Sequence, residues 1–510
     1  MDKKTRIILL SAIFIVTLVV RLILAFLMPG FTYDSYFHLR QVEQIATTGL
    51  PVFQDDLSYG GREIYFLPFF HYLMALFSFF LPLTLVAKIL PNVLLASITI
   101  IVYLISKKIT DNETAALFSA LITGFMPIIF YTNSFSIDAL FLPLTFITIY
   151  AFINIRKEMA RDKSGESLKE YFKKRKYIYL YLASFLLISV TSSLAFLVII
   201  GFIIYILLSI IEGKKVYRGE LEIIIFSIFF YLWVQFLFFK KSLILRGISF
   251  AWQNVPSAIF SEYFPQFSIA KALVTVSIIP FLAGIYVTYK SLFRHKNQKS
   301  FLLISLVIST FLLTWLRLIK YQQALAFFGL VLAILFASFY HELDLYVRKT
   351  KFSRLKKLVV PITIILLLFS TALPAVNTAL NQDMPKEEEI AAFAWLSENS
   401  VPNSVILSTL EEGHLVTYYS KRKNVMDDQF RLVEDVEERF KDVKSLYTTP
   451  FQTQALGLTD KYNIKYLVLT PSAKEKYGLE KFNYLTSKCF RKIYNQKADI
   501  YEVKCTLKSA

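Results

Sequence analysis

Apolar stretches about as long as a membrane-spanning helix recur from residue 7 to about residue 376 of this 510-residue chain. A helix needs ~20 mostly apolar residues to cross the hydrocarbon core of a bilayer. Hydrophobic residues make up 55% of the sequence, and a soluble protein of this length has no core large enough to hide that much apolar surface. The pattern therefore excludes a soluble globular protein and predicts a polytopic α-helical membrane protein.

The spacing of these stretches predicts about eleven transmembrane helices. The first is too long for a signal-peptide core and lacks a small-residue cleavage site, so we expect it to be retained as an anchor. The stretch 66–83 is assigned to an interfacial or re-entrant helix, because a crossing there would move every later basic loop to the opposite side. The predicted spans are residues 7–28, 85–106, 115–130, 137–155, 177–192, 194–211, 222–239, 269–289, 301–315, 322–340 and 358–376.

The basic residues indicate the orientation. Lys and Arg (56) exceed Asp and Glu (38), which gives a formal net charge of +18. Much of this excess lies in alternate loops, such as 156–176, 294–299 and 348–357, on the same predicted side as the basic N-terminus. Because cytoplasmic loops are enriched in Lys and Arg, we expect an integral cell-membrane protein with a cytoplasmic N-terminus. We therefore attribute the excess of basic residues to the orientation of the chain in the membrane, and we expect no nucleic-acid partner.

After residue 376 the composition changes to that of a soluble protein. We predict a transmembrane catalytic domain over 1–376, with external loops 29–84 and 240–268, and a small extracytoplasmic α/β domain over 377–510. In the second domain, residues 404–408 and 464–470 resemble strands and 490–503 a terminal hairpin. Cys489 and Cys505 are the only cysteines, and both a disulfide in an oxidising compartment and two free thiols are left open.

Three acidic residues, Asp34, Asp138 and Glu262, fall beside apolar stretches on the predicted external face. Carboxylates on one face could hold Mg²⁺ or Mn²⁺, which prefer oxygen ligands. Asp34 and Asp138 could instead cap helices, and Glu262 could be a solvated loop residue. Arg317 could reach lipid headgroups as a juxtamembrane arginine, and His38 is equally well interpreted as an interfacial residue or a ligand.

The order of short motifs resembles the catalytic subunit of oligosaccharyltransferase, a polyprenyl-dependent glycosyltransferase of the GT-C fold. That family has an Asp motif after the first span, a Pro-containing apolar helix, a second acidic motif, a Glu motif in a long external loop and an Arg after a later span. The matching positions here are 34–40, 49–51, 55–59, 67–70, Asp138, 260–262 and Arg317.

The resemblance implies roles for these residues. Asp34, Asp138 and Glu262 would surround a Mn²⁺ or Mg²⁺ ion, and Asp34 and Glu262 would be catalytic. Glu262 would also position the acceptor nitrogen. Arg317, with Lys320, would bind the diphosphate of the donor.

Two departures from the family pattern affect the expected site. The second acidic motif of the family has another ligand two residues on, whereas Ala139 and Leu140 follow Asp138 here.

Residues 409–413 stand where the family has Trp-Trp-Asp-Tyr-Gly. That motif recognises the hydroxyl group of the residue two positions after the acceptor Asn, and only Gly413 is retained here. Glu411 could replace the Asp, so Glu262, Glu411 and Gly413 are the predicted acceptor-binding residues.

The resemblance implies a metal-dependent, inverting membrane glycosyltransferase. It would move a sugar or oligosaccharide from a polyprenyl phosphate or diphosphate carrier to an acceptor outside the cytoplasm, with protein Asn as the leading acceptor. A GT-C transferase acting on a lipid or glycan is the main alternative. A flippase for lipid-linked sugars, or an inactive relative that only binds, is also left open. Expected partners are the donor lipid, the acceptor and membrane lipids.

Overall fold

The computed structural model describes residues 2–159, 168–265, 268–294, 298–349, 356–486 and 488–507. Parts of the basic loops 156–176, 294–299 and 348–357, and two residues of the 240–268 loop, lie outside the described residues. The ordered elements are mainly helices, in agreement with the apolar patterning of the sequence.

Seventeen α-helices lie in the first 380 residues of the described chain. They are α1 (Lys3–Leu27), α2 (Tyr33–Thr48), α3 (Phe69–Ser78), α4 (Leu83–Thr110), α5 (Glu113–Gly124), α6 (Pro127–Phe130), α7 (Asp138–Met159), α8 (Leu168–Thr191), α9 (Ala195–Ile211), α10 (Arg218–Arg246), α11 (Phe260–Tyr263), α12 (Ile269–Val276), α13 (Ile278–Tyr289), α14 (Gln298–Trp315), α15 (Tyr321–Lys349), α16 (Lys356–Leu367) and α17 (Leu373–Leu380).

Among the described residues, six helical segments are long and apolar enough to cross a membrane. The number becomes seven if α12 and the helical segment Ile278–Arg294 are counted as one span; the two are bent by 111° at Ser277, which has a φ of +78°. The prediction of a helical membrane protein with several spans is thus confirmed, whereas the count of eleven stays a prediction. Helix α3 has 10 residues, or ~15 Å at 1.5 Å per residue, about half the thickness that a spanning helix covers.

The helices pack as a bundle around α15. Helix α15 contacts α4, α5, α13 and α14, while α14 also packs on α9 and α7 on α8. Most side chains of α15 from Tyr321 to Tyr340 are buried, so it is the central helix of the bundle. Its first turn follows directly after Lys320, and this end of the bundle carries the candidate site.

Beyond α17 the chain forms a five-stranded sheet with flanking helices. The strands are β3 (Val405–Leu407), β4 (Lys423–Asn424), β5 (Ile464–Leu469), β6 (Phe490–Gln496) and β7 (Ala498–Val503), and their order is β4-β3-β5-β7-β6. Strand β3 is parallel to β4 and β5, whereas β7 is antiparallel to β5 and β6. The helices are α18 (Glu387–Asn399), α19 (Gly413–Leu415), α20 (Val436–Thr448), α21 (Gln452–Lys461) and α22 (Pro471–Tyr477).

Cys489 and Cys505 form a disulfide that joins the start of β6 to the segment after β7. The question that the sequence left open is therefore answered in favour of pairing. The division of the chain into a transmembrane and an extracytoplasmic domain stays a prediction.

A short hairpin near the N-terminus attaches to the sheet region. It consists of β1 (Gln54–Asp55) and β2 (Arg62–Glu63). Arg62 Nη2 lies 2.9 Å from Asp427 Oδ1, and the Tyr59 amide donates to Asn424 Oδ1 at 2.7 Å. These bonds hold the segment after α2 against residues 424–427.

Candidate active site

Asp34 lies in the first turn of α2, one residue beyond its start. The N-cap residue is Thr32, so Asp34 does not cap this helix. The Thr32 amide donates to Ser134 Oγ at 3.0 Å, and Ser35 Oγ lies 2.9 Å from the same atom. These bonds join the start of α2 to the segment that precedes Asp138. The Asp34 side chain itself is 65% exposed.

Two side chains at the start of α15 contact the two predicted acids. Lys320 Nζ lies 3.9 Å from Asp34 Oδ2. Gln323 Nε2 donates to Asp138 at 3.1 Å from Oδ1 and 3.3 Å from Oδ2. Because Lys320 and Gln323 are three residues apart, the side chains that contact Asp34 and Asp138 both come from the start of α15.

A second acidic cluster comes from the sheet region. Ligand atoms of His414, Asp427 and Asp428 lie within 4.8 Å of one another, and His414 Nε2 is 2.8 Å from Asp428 Oδ1. Asp427 is saturated, since its two carboxylate oxygens accept four hydrogen bonds. The donors are Ser58 Oγ (2.6 Å), Asn424 Nδ2 (3.0 Å), Arg62 Nη2 (2.9 Å) and the Gln429 amide (3.0 Å). Asp428, rather than Asp427, therefore has an oxygen to offer a ligand.

Electrostatics connect Asp428 with Asp34. The Asp428 carboxylate is the largest influence on Asp34 and raises its pKa. Burial lowers the pKa of His414, but Asp427 and the hydrogen bond to Asp428 outweigh it, so the pKa is raised overall. Burial also opposes the charge of Lys320, and Tyr263, Asp34 and Asp428 together raise its pKa above the usual range. Two carboxylates thus repel each other here, with cationic groups beside them.

These residues suit a hard divalent cation. Asp34 and Asp428 could offer carboxylate oxygens, and Asp138 accepts a hydrogen bond from Gln323, three residues after the Lys320 that lies beside Asp34. A bound cation would relieve the repulsion by Asp428 that raises the pKa of Asp34.

Helix α11 carries Glu262 and lies against the two predicted donor-binding residues. The Arg317 guanidinium lies 5.4 Å from the ring centroid of Phe260, and Lys320 Nζ lies 4.5 Å from that of Tyr263. Glu262 is exposed, and no hydrogen bond or ion pair joins it to another described residue. The structure thus brings α11 to the basic pair without fixing the Glu262 side chain.

The predicted acceptor-binding residues have separate surroundings. Glu411 is partly exposed and pairs with Lys476 Nζ at 2.7 and 2.8 Å. The neighbouring Glu412 is buried and accepts hydrogen bonds from the Thr409 amide and the Thr470 hydroxyl. Burial raises the pKa of Glu412 to about 7. A Cβ on Gly413 would lie 2.2 Å from the Met426 carbonyl oxygen, so this glycine allows the close approach of the segment that ends in Asp428.

Sequence reasoning assigned no role to His414 or Asp428. Residues so far apart in the chain as Asp34 and Asp428 carry no local sign of contact in the sequence.

Comparison with known proteins supports the resemblance. No protein-family model matches the chain. The dolichyl-phosphooligosaccharide-protein glycotransferase 2 of Archaeoglobus fulgidus is 37% identical over 101 residues, which are 19% of this chain and 17% of that relative. The chain therefore matches only a small part of the relative's length.

Solved structures match most of the chain. The oligosaccharyltransferase AglB of A. fulgidus, in complex with an inhibitory peptide and a dolichol-phosphate, aligns with a TM-score of 0.70 at 13% identity, covering 90% of this chain and 69% of that one. An A. fulgidus oligosaccharyltransferase has also been solved with Zn and sulfate, with a TM-score of 0.63 at 14% identity over 94% of this chain and 71% of that one. ArnT of Cupriavidus metallidurans, bound to undecaprenyl phosphate, aligns at 0.57 and 11% identity over 99% of both chains. The chain has the GT-C fold of these membrane glycosyltransferases, as its motif order predicted.

Proposed function

We propose that this chain is a metal-dependent membrane glycosyltransferase that moves a sugar or oligosaccharide from a polyprenyl phosphate or diphosphate carrier to an acceptor, with protein Asn as the leading acceptor. The observation that carries this proposal is the meeting of Asp34, Asp428 and Lys320 at one end of a GT-C helical bundle. It is supported by the short sequence match to an archaeal dolichyl-phosphooligosaccharide-protein glycotransferase.

The site residues have two tasks in the transfer: some stabilise the departing phosphate, and Glu262 positions the acceptor. A divalent cation held by Asp34, Asp138 and Asp428, with Glu262 from α11, would supply charge that offsets the developing negative charge of the phosphate. Arg317 and Lys320 would bind the phosphate oxygens, where preorganised positive charge stabilises the leaving group. Glu262 would position the acceptor nucleophile for attack on the anomeric carbon.

A second acceptor class is favoured by residues 409–413. Glu411 is paired with Lys476, and Glu412 is buried and bonded to Thr409 and Thr470. Neither side chain reproduces a Trp-lined pocket for a peptide hydroxyl. A lipid or glycan acceptor is therefore the alternative to protein Asn, and the ArnT-like fold over the whole chain agrees with either acceptor.

The proposed setting is an integral membrane protein with about eleven crossings, as the apolar stretches indicate. In this arrangement the N-terminus is cytoplasmic, and residues 377–510 form an extracytoplasmic domain. Support comes from the positive-inside pattern and from the Cys489–Cys505 disulfide, since disulfides persist in oxidising compartments.

The test is sugar transfer by the purified protein in detergent with Mn²⁺. The donor is an extract of lipid-linked sugars from the source cells, and the acceptor is an Asn-x-Thr peptide. Asp34→Ala and Glu262→Ala are compared with Glu398→Ala, which removes an exposed acid on α18 that is not part of the proposed site. Glycopeptide from the wild type and the control, but from neither site variant, supports the proposal with protein Asn as the acceptor.

Two other outcomes are decisive. Donor consumption that needs Mn²⁺ and Asp34, without glycopeptide, assigns the chain to the lipid or glycan alternative. Donor consumption that is unaffected by chelation and by both site variants contradicts the proposed metal site.

A further inference from the structure

A pair of histidines lies behind the acidic cluster. His38 on α2 and His71 on α3 are joined by a 2.9 Å contact between His38 Nδ1 and His71 Nε2. His71 is completely buried, whereas His38 is half-buried. Neither histidine has a role in the function proposed above.

The position of His38 on α2 directs it toward the same site as Asp34. The two residues are four apart, so their side chains lie on one face of the helix with Cβ atoms ~5–6 Å apart. The ring of Phe37 lies 5.3 Å from the ring of His38 and 5.4 Å from that of His414, so a single aromatic side chain connects His38 with the second acidic cluster. One imidazole nitrogen is occupied by His71, which leaves Nε2 as the atom that can meet a ligand.

The surroundings of the pair keep both rings neutral. The aromatic rings of Phe37, Phe70 and Phe135 lie 5.3, 6.1 and 6.5 Å from the ring of His38, measured between centroids. Burial lowers the pKa of His38 to about 3, and it also lowers the pKa of His71 well below its usual range. A neutral imidazole has one lone pair and one N–H, and it binds a metal without first losing a proton.

The contact between the two rings admits two tautomer pairs, because either His38 Nδ1 or His71 Nε2 can be the donor. Only the pair in which His38 Nδ1–H donates to His71 Nε2 leaves the lone pair of His38 on Nε2. A metal ion on His38 Nε2 would select that pair. Metal-binding histidines are oriented by an acceptor on their second nitrogen in this way.

We propose that His38 is a nitrogen ligand of the divalent cation held by Asp34, and that His71 is a positioning residue that fixes the tautomer of His38. This inference rests on the proposed function, whose metal-binding residues include Asp34. It supplies a ligand where Ala139 and Leu140 provide none after Asp138. Because imidazole suits transition metals such as Zn²⁺, whereas Mg²⁺ prefers oxygen ligands, the site would favour a transition-metal ion over Mg²⁺.

The test is pulsed electron paramagnetic resonance of the full chain in detergent, loaded with Mn²⁺. A bound imidazole gives a nitrogen modulation of the Mn²⁺ echo, and labelling all histidines with ¹⁵N changes its frequency without any substitution. His38→Gln is compared with His414→Gln, with Asp34→Asn and with the matched control His341→Gln, whose ring instead contacts Asn112 Nδ2 at 3.0 Å.

We expect the wild type and His341→Gln to show a histidine nitrogen on Mn²⁺, and His38→Gln to lose it with about a tenfold weaker Mn²⁺ affinity. His71→Phe removes the acceptor and should weaken Mn²⁺ binding by a similar factor. His71→Gln should restore much of the affinity, because its amide oxygen can accept the same proton. A structural role for His71 alone would give no such rescue.

Each remaining outcome overturns the inference in a distinguishable way. Mn²⁺ that binds through Asp34 but shows no histidine nitrogen in the labelled wild type leaves the proposed metal site standing and removes His38 from it. A nitrogen signal lost in His414→Gln and kept in His38→Gln assigns the ligand to His414. No Asp34-dependent Mn²⁺ binding at all contradicts both this inference and the metal site of the proposed function.

Discussion

Gly413 shows how one residue can position a site without contributing a functional group. The family resemblance predicted it as an acceptor-binding residue. In the structure it packs where a Cβ would lie 2.2 Å from the Met426 carbonyl oxygen and 2.7 Å from Asp427 Cβ. Retention of this glycine therefore has a packing reason that is independent of any acceptor.

Gly413→Ala should displace the segment from Met426 to Asp428, because the obstruction includes backbone that cannot rotate away. We expect a destabilisation of about 1–3 kcal/mol and a loss of transfer activity. The matched control is Gly457→Ala in α21, where a Cβ meets nothing within 4 Å. That control should be neutral or stabilising by up to about 1 kcal/mol. Equal melting temperatures for the two variants would contradict the packing role.

Lys320 has two opposing roles in the proposed site. Its Nζ atom lies 3.9 Å from Asp34 Oδ2, and the Lys320 side chain is 30% exposed. Removing the charge leaves the carboxylates more attractive to a cation but deprives the donor phosphate of a partner. Lys320→Gln should therefore tighten Mn²⁺ binding roughly threefold to tenfold, after allowance for solvent screening, and raise the KM for donor lipid.

The check is Mn²⁺ titration beside donor kinetics on the same preparation. Lys271→Gln serves as the control, since Lys271 also lies over a tyrosine ring, that of Tyr321, at 5.5 Å. Changes of the same sign in Mn²⁺ affinity and donor affinity would show that Lys320 acts in only one of the two roles.

Among the elements, the hairpin β1–β2 joins the segment after α2 to the sheet region through a buried ion pair. Arg62 pairs with Asp427, whose side chain is 1% exposed, and its guanidinium also lies 4.4 Å from the ring centroid of Tyr59. A buried carboxylate that loses its cation is costly, because the remaining charge is not solvated.

Arg62→Ala should therefore destabilise the protein by about 3–5 kcal/mol. The matched control is the ion pair of the next hairpin residue, Glu63, with Lys241 of α10. The two side chains are 50% and 38% exposed, and Lys241→Ala should cost at most about 1 kcal/mol. Thermal melts in detergent measure both, and similar losses would mean that the Arg62 bridge is no stronger than a surface pair.

The sequence predicted some elements well and others not at all. Apolar length located the helices, and the strand-like runs 404–408 and 464–470 correspond to β3 and β5. The break at Ser277 comes three residues before Pro280, and a proline interrupts a continuous helix because it lacks an N–H and clashes with the carbonyl four residues before it. The predicted span 269–289 did not use this signal and was drawn straight. The hairpin β1–β2 was missed because strands of 2 residues are too short to show any alternation.

At the scale of the molecule, the candidate site depends on contacts that sequence spacing does not encode. Asp34, Asp138 and Glu262 were predicted from order and sidedness, while Asp428 and His414 reach the site only through folding. Local patterns report helices and strands, but not which distant loops meet.

The proposed orientation has a direct test in intact cells. The native cysteines are paired, so single cysteines can be introduced as reporters. We expect Lys157→Cys, at the end of α7, to be protected from an impermeant thiol reagent until the membrane is opened, and Glu398→Cys in α18 to be labelled at once. Labelling with the opposite pattern would reverse the topology, and labelling of both would contradict the odd number of crossings that the proposed topology places between them.

The proposed site combines Asp34, from the start of α2, with the charge of Asp428, from the sheet region, and this sets an order of events during synthesis. About 400 residues separate the two aspartates. At about 5–20 residues per second, the ribosome reaches the second roughly 20–80 s after the first. Under the proposed function, a nascent chain that has inserted only its helices would hold part of the metal-binding groups, and it would not act on donor lipid until Asp428 had been synthesised and had folded against them.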